Sequence, residues 1–340
     1  MNGRFRNRRI PWLIAAVFLW VATSVSAEPR VTGVGAIGMT VSDMSRSVAF
    51  YSEALSFEEV SDREFHSESF DRLTGIFGTR VRIVTMRLGD ERIELTEYLA
   101  PRGRPIPPDS RSDDRWFQHI AIVVRDMDAA YGRLRRLGVK AISTGPQRIP
   151  DWNEAAAGIR AFYFRDPDGH PLELIFFPPG KGDPRWQRKT DSLFLGIDHT
   201  AIAVSDTEAS LRLYRDTLGL KVGGESLNYG VEQEHLNHVF GSRVRITGLR
   251  APAGPGIEFL EYLTPRGGRP YPQDARPNDL LHWYVTLHVK DPDGLIERME
   301  RSRVTLISAF PVSLEGMGLD GKRGLLFRDP DSHALLLVAP

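Results

Sequence analysis

Cysteine is absent from this 340-residue chain. Disulfide bonds, thiolate metal ligands and a cysteine nucleophile are therefore all excluded. An excess of positive charge is also missing, since 44 Lys and Arg residues balance 44 Asp and Glu residues. A chain without a basic cluster in its folded part is not typical of nucleic-acid-binding proteins, so we expect no nucleic acid partner.

Long apolar runs are missing after the N-terminus. The one such run, residues 10–25, follows four arginines and precedes Val25-Ser26-Ala27. This order is typical of a secretory signal peptide, whereas an uncleaved membrane anchor needs a longer run. We therefore predict a signal peptide over residues 1–27, export to a bacterial periplasm, and no membrane span after cleavage. The remaining chain of about 310 residues is long enough for two domains.

The chain is a duplication. VGAIGMTVSDMSRSVAFYSEAL from Val34 matches IDHTAIAVSDTEASLRLYRDTL from Ile197, and FRDPDGHPLEL from Phe164 matches FRDPDSHALLL from Phe327. The offset stays at 163–165 residues along the chain. A fixed offset of this kind indicates repeated structural units. We predict one domain over residues 31–180, a linker over 181–193, and a second domain over 194–340.

Each half divides again into two quarters with the plan β-α-β-β-β, which predicts an α+β fold. Alternating apolar residues indicate the strands, and an aspartate after each first strand is expected to cap a helix. A four-stranded sheet with one helix cannot bury its apolar face alone, so the quarters should pair. The predicted quarters span residues 31–101, 115–178, 194–265 and 281–340. The predicted caps are Asp43, Asp126, Asp206 and Asp291.

Two first strands carry a histidine and two last strands carry a glutamate at matching positions. HIAIVVRD begins at His119 and HTAIAVSD begins at His199, while Glu173 and Glu258 lie in the strand sequences LEL and IEF. A single glutamate in such a strand is typical of an exposed residue, because alternate residues face opposite sides of a sheet. Two imidazoles and two carboxylates at matching positions instead favour one divalent ion: Zn²⁺, Ni²⁺, Co²⁺, Mn²⁺ or Fe²⁺.

These motifs resemble the vicinal oxygen chelate superfamily, which includes glyoxalase I, extradiol dioxygenases, methylmalonyl-CoA epimerase and the bleomycin resistance proteins. The resemblance rests on AVSDTEASLRLYRDTLGL, on FRDPDGHPLELIFF and on the two histidine strands, and it covers residues 31–340. It implies that two quarters pair into a half-open barrel. It also implies that a divalent metal inside the barrel takes its ligands from the first and last strands of each quarter.

The ligand positions leave two pairings open. If neighbouring quarters pair, the first barrel has the ligands Glu94, His119 and Glu173. If the second quarter pairs with the third, one barrel holds all four of the histidines and glutamates above, as the similarity to glyoxalase I favours. In chain order, the first-strand positions are Ala36, His119, His199 and Tyr284, and the last-strand positions are Glu94, Glu173, Glu258 and Leu336.

Three functions follow from the resemblance. The leading one is a lyase or isomerase similar to glyoxalase I, acting on a small oxygenated substrate through a metal-stabilised enediolate, with Glu173 first and Glu258 second as the base. The alternatives are an Fe²⁺-dependent extradiol dioxygenase and a non-enzymatic small-molecule-binding protein similar to the bleomycin resistance proteins. The chain is expected to be a monomer or a homodimer. The candidate substrate-binding residues are Arg82, Arg245, Tyr98 and Tyr262.

Overall fold

The computed structural model describes residues 31–290, 292–299 and 304–339. The predicted signal peptide and the predicted cap Asp291 lie outside these residues. Within the described ranges, no helix combines the length and the apolar character that a membrane span requires.

All four quarters contain the predicted strands and a helix after the first strand. The first has β1 Val31–Val41, α1 Met44–Leu55, β2 Glu58–Phe65, α2 Glu68–Thr74, β3 Arg80–Leu88 and β4 Glu91–Ala100. The second has β5 Gln118–Val124, α3 Met127–Arg136, β6 Gln147–Arg148, β7 Arg160–Arg165 and β8 Pro171–Phe176. The third has β9 Phe194–Val204, α4 Thr207–Leu211 with a π-helical turn Arg212–Thr217, β10 Lys221–Tyr229, α5 Val231–Asn237, β11 Arg243–Arg250 and β12 Gly256–Thr264. The fourth has β13 Trp283–Val289, α6 Pro292–Met299, β14 Thr305–Leu306, β15 Val312–Ser313, β16 Arg323–Arg328 and β17 Ala334–Ala339.

Three of the predicted caps are confirmed. The carboxylates of Asp43, Asp126 and Asp206 each accept a hydrogen bond from the backbone N–H three residues later, at the start of α1, α3 and α4. One helix per quarter is too few for the first and third quarters, which also contain α2 and α5. These helices have seven residues each, which is too short for a helical period to stand out in the sequence.

The two curled sheets join quarters from opposite halves of the chain. The first and fourth quarters form barrel 1, with the strand order β14-β16-β17-β13-β1-β4-β3-β2 and with β15 paired to β16. The second and third form barrel 2, with the order β10-β11-β12-β9-β5-β8-β7-β6. The first strands of the paired quarters lie antiparallel at the centre of each sheet, β1 with β13 and β5 with β9. The crossed pairing is therefore confirmed, and the pairing of neighbouring quarters is wrong.

The two main apolar cores, unlike the sheets, join the two quarters of the same half. One core contains Ile37 and Tyr51 of the first quarter together with Ile122 and Met127 of the second. A separate core joins the third and fourth quarters in the same way. As a result, each half shares a core under its helices while each barrel draws one wall from each half.

Candidate metal centre

The four predicted ligands lie together inside barrel 2. His119 is on β5, Glu173 on β8, His199 on β9 and Glu258 on β12, and these strands are consecutive in the sheet order β12-β9-β5-β8. The register places His119 and Glu258 opposite Ala201, and His199 and Glu173 opposite Ala121. Residues paired in this way share a face of the sheet, so all four side chains point to the same side.

The ligand atoms of these residues converge. The Nε2 atom of His119 lies 3.1 Å from Oε2 of Glu173, and Nε2 of His199 lies 3.6 Å from the same oxygen. The distance from Nε2 of His199 to Oε2 of Glu258 is 3.5 Å. For His119, Glu173 and His199, one ligand atom from each lies within 4.8 Å of the others.

The chemistry of these atoms fits a divalent cation. Both ring nitrogens of His119 and Nε2 of His199 are buried and make no hydrogen bond with any described residue. The contact of 3.1 Å between Nε2 of His119 and Oε2 of Glu173 is not a hydrogen bond. Buried polar atoms without a partner cost free energy, and one cation would satisfy the imidazole nitrogens and the carboxylates together.

Asp198 orients the ring of His199. Its Oδ2 atom lies 3.0 Å from Nδ1 of His199, so Nδ1 donates to the carboxylate and Nε2 faces the glutamates. Burial lowers the pKa of His199, but Glu258, Asp198 and Glu173 together outweigh burial and raise that pKa to about 9. Burial raises the pKa of Asp198, but the hydrogen bond from His199 and the charges of His199 and Arg250 bring that pKa below its ordinary value.

A cavity of about 270 Å³ opens beside Glu258 and His199. Glu258 is the most exposed of the four predicted ligands, with 23 % of its side chain accessible against 6 % for Glu173. Burial raises the pKa of Glu258, and the charge of His199 offsets part of that effect. Small residues border much of the cavity: Ala155, Ala156, Gly223, Gly224 and Gly248.

The alternative three-ligand site of Glu94, His119 and Glu173 is wrong. Glu94 lies on β4 in barrel 1, where it accepts a hydrogen bond of 2.7 Å from the hydroxyl of Tyr284, whereas His119 and Glu173 lie in barrel 2. Crossed pairing separates them, because β4 joins β1 and β3 while β5 joins β8 and β9.

The candidate substrate residues divide between the barrels. Arg82 and Tyr98 belong to barrel 1 and take no part in the His–Glu cluster. Arg82 forms an ion pair with Asp62, and Tyr98 is buried in the barrel interior. Arg245 and Tyr262 belong to barrel 2, where Arg245 pairs with Glu208 and Glu225 and Tyr262 packs against the interior.

Sequence reasoning missed three residues that support the site: Asp198, Arg250 and Trp186. Both Nη atoms of Arg250 donate to Asp198, one to its carboxylate and one to its backbone oxygen, and the guanidinium borders the cavity. The indole Nε1 of Trp186 donates to Oδ1 of Asp198 at 2.9 Å. The one available signal was the aspartate directly before His199, since Gln118 stands at the same position before His119.

Comparison with known proteins identifies the family. The profile of the Glyoxalase/Bleomycin resistance protein/Dioxygenase superfamily matches residues 33–174 and 196–337. The chain belongs to this superfamily. The two matched segments agree with the predicted duplication.

One similar curated protein is a 2-epi-5-epi-valiolone epimerase from Actinomyces sp. It is 34 % identical over 157 residues, covering 45 % of this chain and 83 % of the epimerase. Similar solved structures extend over the whole fold. Glyoxalase I from Zea mays has a TM-score of 0.60 at 17 % identity over 92 % of each chain, and a putative dioxygenase from Bacillus subtilis has 0.55 at 15 % over 91 % of this chain and 86 % of that one.

Proposed function

We propose that barrel 2 holds one divalent metal ion and catalyses a lyase or isomerase reaction of the glyoxalase I type on a small oxygenated substrate. The observation that carries this proposal is the convergence of His119, Glu173, His199 and Glu258. Both ring nitrogens of His119 and Nε2 of His199 make no hydrogen bond with a described residue. The epimerase relative supports the isomerase class, because epimerisation next to a carbonyl needs removal and return of a proton.

The metal would supply positive charge that polarises two adjacent substrate oxygens and stabilises an enediolate. Glu258 is the residue best placed to move the proton, since it borders the cavity whereas Glu173 lies deeper between the histidines. This reverses the order expected from the resemblance. Asp198 accepts a hydrogen bond from Nδ1 of His199, which leaves Nε2 as the nitrogen that would bind the metal, and Arg250 retains N–H groups that can donate to a substrate oxygen.

The size of the cavity supports a small substrate. Its volume of about 270 Å³ lies below the low end of about 300 Å³ for cavities that take drug-sized ligands. The guanidinium of Arg250, which borders the cavity, is paired with Asp198. A compact hydroxycarbonyl compound fits this environment.

The test is proton exchange by metal-loaded protein in D₂O, followed by NMR. Dihydroxyacetone and the hemithioacetal of methylglyoxal serve as probes, after the metal content per chain has been measured. The expected result is one metal per chain and exchange that Glu258→Gln slows about 100-fold or more, since a positioned acid–base group contributes about 10²–10⁴-fold. Glu94→Gln, the same substitution at the matching position of barrel 1, should leave exchange unchanged. Metal-loaded protein without exchange or turnover of either probe would overturn the proposal.

The second candidate is an Fe²⁺-dependent extradiol dioxygenase. It is favoured by the grouping of two histidines with one carboxylate, the ligand set of many non-haem iron oxygenases. Oxygen consumption with catechol, dependent on Fe²⁺ and lost in His119→Ala, would establish this function in place of the first. Tight binding of a small molecule by metal-free protein, with no turnover, would instead establish a binding protein.

We also propose that the chain is exported after cleavage behind Ala27. The proposal rests on the basic start, the apolar run and the small residues at 25–27. Expression of the full chain in a bacterium, followed by fractionation and mass measurement, should recover a periplasmic form that begins at Glu28. A full-length cytoplasmic product would contradict it.

A further inference from the structure

The linker between the halves passes beside the candidate metal centre. A 3₁₀ turn, Pro184–Gln187, places the indole of Trp186 against an apolar cluster at the end of barrel 2 that includes Val123 and Ile175. The Nε1–H of this indole donates to Oδ1 of Asp198 at 2.9 Å. The linker thus contacts the residue that orients His199.

Three side chains hold the carboxylate of Asp198. Its Oδ2 atom accepts from Nδ1 of His199 at 3.0 Å and from Nη2 of Arg250 at 2.9 Å, while Oδ1 accepts from Trp186. Its side chain is only 4 % exposed. A carboxylate held at both oxygens cannot rotate freely, so the direction of the indole N–H helps to set the orientation of the His199 ring.

Barrel 1 holds the linker in this position through Glu91, the first residue of β4. Its Oε1 atom accepts from Nη1 of Arg185 at 2.6 Å, and its Oε2 atom accepts from the backbone N–H of Ile197 at 3.0 Å. The guanidinium of Arg185 lies 3.9 Å from the centre of the Trp186 ring. A side chain at Gly196 would meet this assembly, because a Cβ atom there would lie 2.4 Å from Glu91 and 2.9 Å from Trp186.

The repeats show that this arrangement exists once among the four quarters. At the 163-residue offset, His199 corresponds to Ala36 and Asp198 to Gly35, so the histidine and its aspartate are both absent from the first quarter. Glu91 corresponds to Pro255 in the second half, following the alignment of Ile93 with Ile257. His119 follows Gln118, whose amide donates to Thr200, and Nδ1 of His119 makes no hydrogen bond with a described residue.

We propose that Trp186 is a positioning residue for His199, and that Glu91 and Arg185 hold Trp186 in place, which gives barrel 1 and the linker a role in the metal centre of barrel 2. The inference rests on the proposed metal site and extends it to residues outside barrel 2. The chain of contacts runs from Glu91 through Arg185 and Trp186 to Asp198, and each contact is a hydrogen bond, an ion pair or a cation–π contact.

The experiment compares Trp186→Phe with Trp116→Phe. Phenylalanine keeps a ring but removes the indole N–H, and Trp116 donates its own N–H to Ser110, away from the metal centre. The measurements are the Zn²⁺ dissociation constant, by competition with a chromophoric chelator, the visible absorption of Co²⁺-loaded protein, and the melting temperature of metal-free protein. Glu91→Gln serves as a second variant, because it removes the charge facing Arg185 and preserves the size of the side chain.

Trp186→Phe should weaken Zn²⁺ binding about tenfold and change the Co²⁺ spectrum, in line with the roughly 10–100-fold effect of losing an outer partner of a ligand. Glu91→Gln should shift both readouts in the same direction by a smaller factor, and Trp116→Phe should shift neither. Wild-type affinity and spectrum in Trp186→Phe would overturn this inference alone. Equal weakening in both tryptophan variants would overturn it by indicating a general loss of stability. Failure of the wild type to bind any divalent ion would overturn the proposed function as well.

Discussion

Barrel 1 and barrel 2 are built from the same repeated quarter, yet one is filled and the other is open. At the four matching ligand positions, barrel 2 has His119, Glu173, His199 and Glu258, while barrel 1 keeps only the glutamate. There Glu94 accepts a hydrogen bond from the hydroxyl of Tyr284. The ring of Tyr284 lies so close to Gly38 that a Cβ atom at this position would collide with it. The positions in barrel 1 are Ala36, Glu94, Tyr284 and Leu336.

The loop before the last two strands accounts for much of the difference. In the fourth quarter it inserts the buried side chains Leu314, Met317 and Leu319 into barrel 1, leaving a cavity of about 20 Å³. At the 163-residue offset, the second quarter has Asp151, Glu154 and Ala156, and Ala156 borders the open cavity of barrel 2. The comparison shows that loss of the ligands goes together with filling of the space that a substrate would need.

The largest expected effect is on metal binding. His199→Ala should reduce Zn²⁺ affinity by about 100-fold or more, because losing a ligand costs more than losing the outer partner of one. His282→Ala replaces a buried histidine of barrel 1 and should leave affinity unchanged. Equilibrium competition against a chelator measures both variants. Equal losses of Zn²⁺ affinity in the two variants would mean that metal binding does not distinguish barrel 2 from barrel 1.

The next effect concerns the apolar plug of barrel 1, which is the loop that carries Leu314, Met317 and Leu319. Met317→Ala should lower the free energy of unfolding by roughly 2–5 kcal/mol, because it leaves a cavity in the filled barrel. Glu154→Ala changes the matching, exposed position of barrel 2 and should stay within about 0.5 kcal/mol. Urea unfolding monitored by circular dichroism provides the comparison. Similar values for the two variants would refute the assignment of the loop as a plug.

A third prediction concerns the buried carboxyl that barrel 1 retains. Burial raises the pKa of Glu94 to about 7, although the hydrogen bond from Tyr284 opposes the rise. A raised carboxyl pKa means that the folded state binds the proton more tightly, so stability falls as the pH rises from about 4.5 to about 7, by on the order of 3 kcal/mol. Glu94→Gln should remove this fall. Urea unfolding of both proteins between pH 4.5 and 8 measures it, and a constant difference across that range would contradict the prediction.

The smallest effect is expected at the mouth of barrel 2. Trp152 packs against Tyr229 across the two quarters, with ring centres 4.3 Å apart and ring planes tilted by 30°, and such a pair contributes about 1 kcal/mol beyond its buried area. Trp152→Ala should therefore destabilise the protein by about that amount. Glu315→Ala at the matching position of barrel 1 should have no effect in the same urea experiment. A loss above 3 kcal/mol in Trp152→Ala would mean that this contact holds the whole barrel together.

Much of the fold could be predicted from the sequence because the repeat is long and regular. The offset of 163–165 residues defines the halves, and the positions of the two histidines favour the crossed pairing that the sheet order shows. The helices α2 and α5 could not be predicted, since seven residues span only about two turns.

The immediate surroundings of the candidate site could not be predicted, because they depend on tertiary contacts. Trp186 lies in a linker whose composition predicts only a loop, and Glu91 belongs to the other barrel. The matching strands point to Arg245 as a substrate-binding residue, but its charge is paired with Glu208 and Glu225. Arg250, at the end of the same strand, borders the cavity instead. Spacing along a strand indicates the face of a residue but not the partner that it meets.

Because each sheet joins quarters from opposite halves, the two halves of the chain cannot diverge independently. Each cavity takes one wall from the first half and the other wall from the second, so neither half can be said to carry the site. The positions at which barrel 1 lacks a ligand are accordingly spread over both halves, at Ala36 in one and at Tyr284 and Leu336 in the other. The inner quarters, by contrast, must change in concert. A change of the metal ligands in barrel 2 therefore requires matched changes in both halves of the chain.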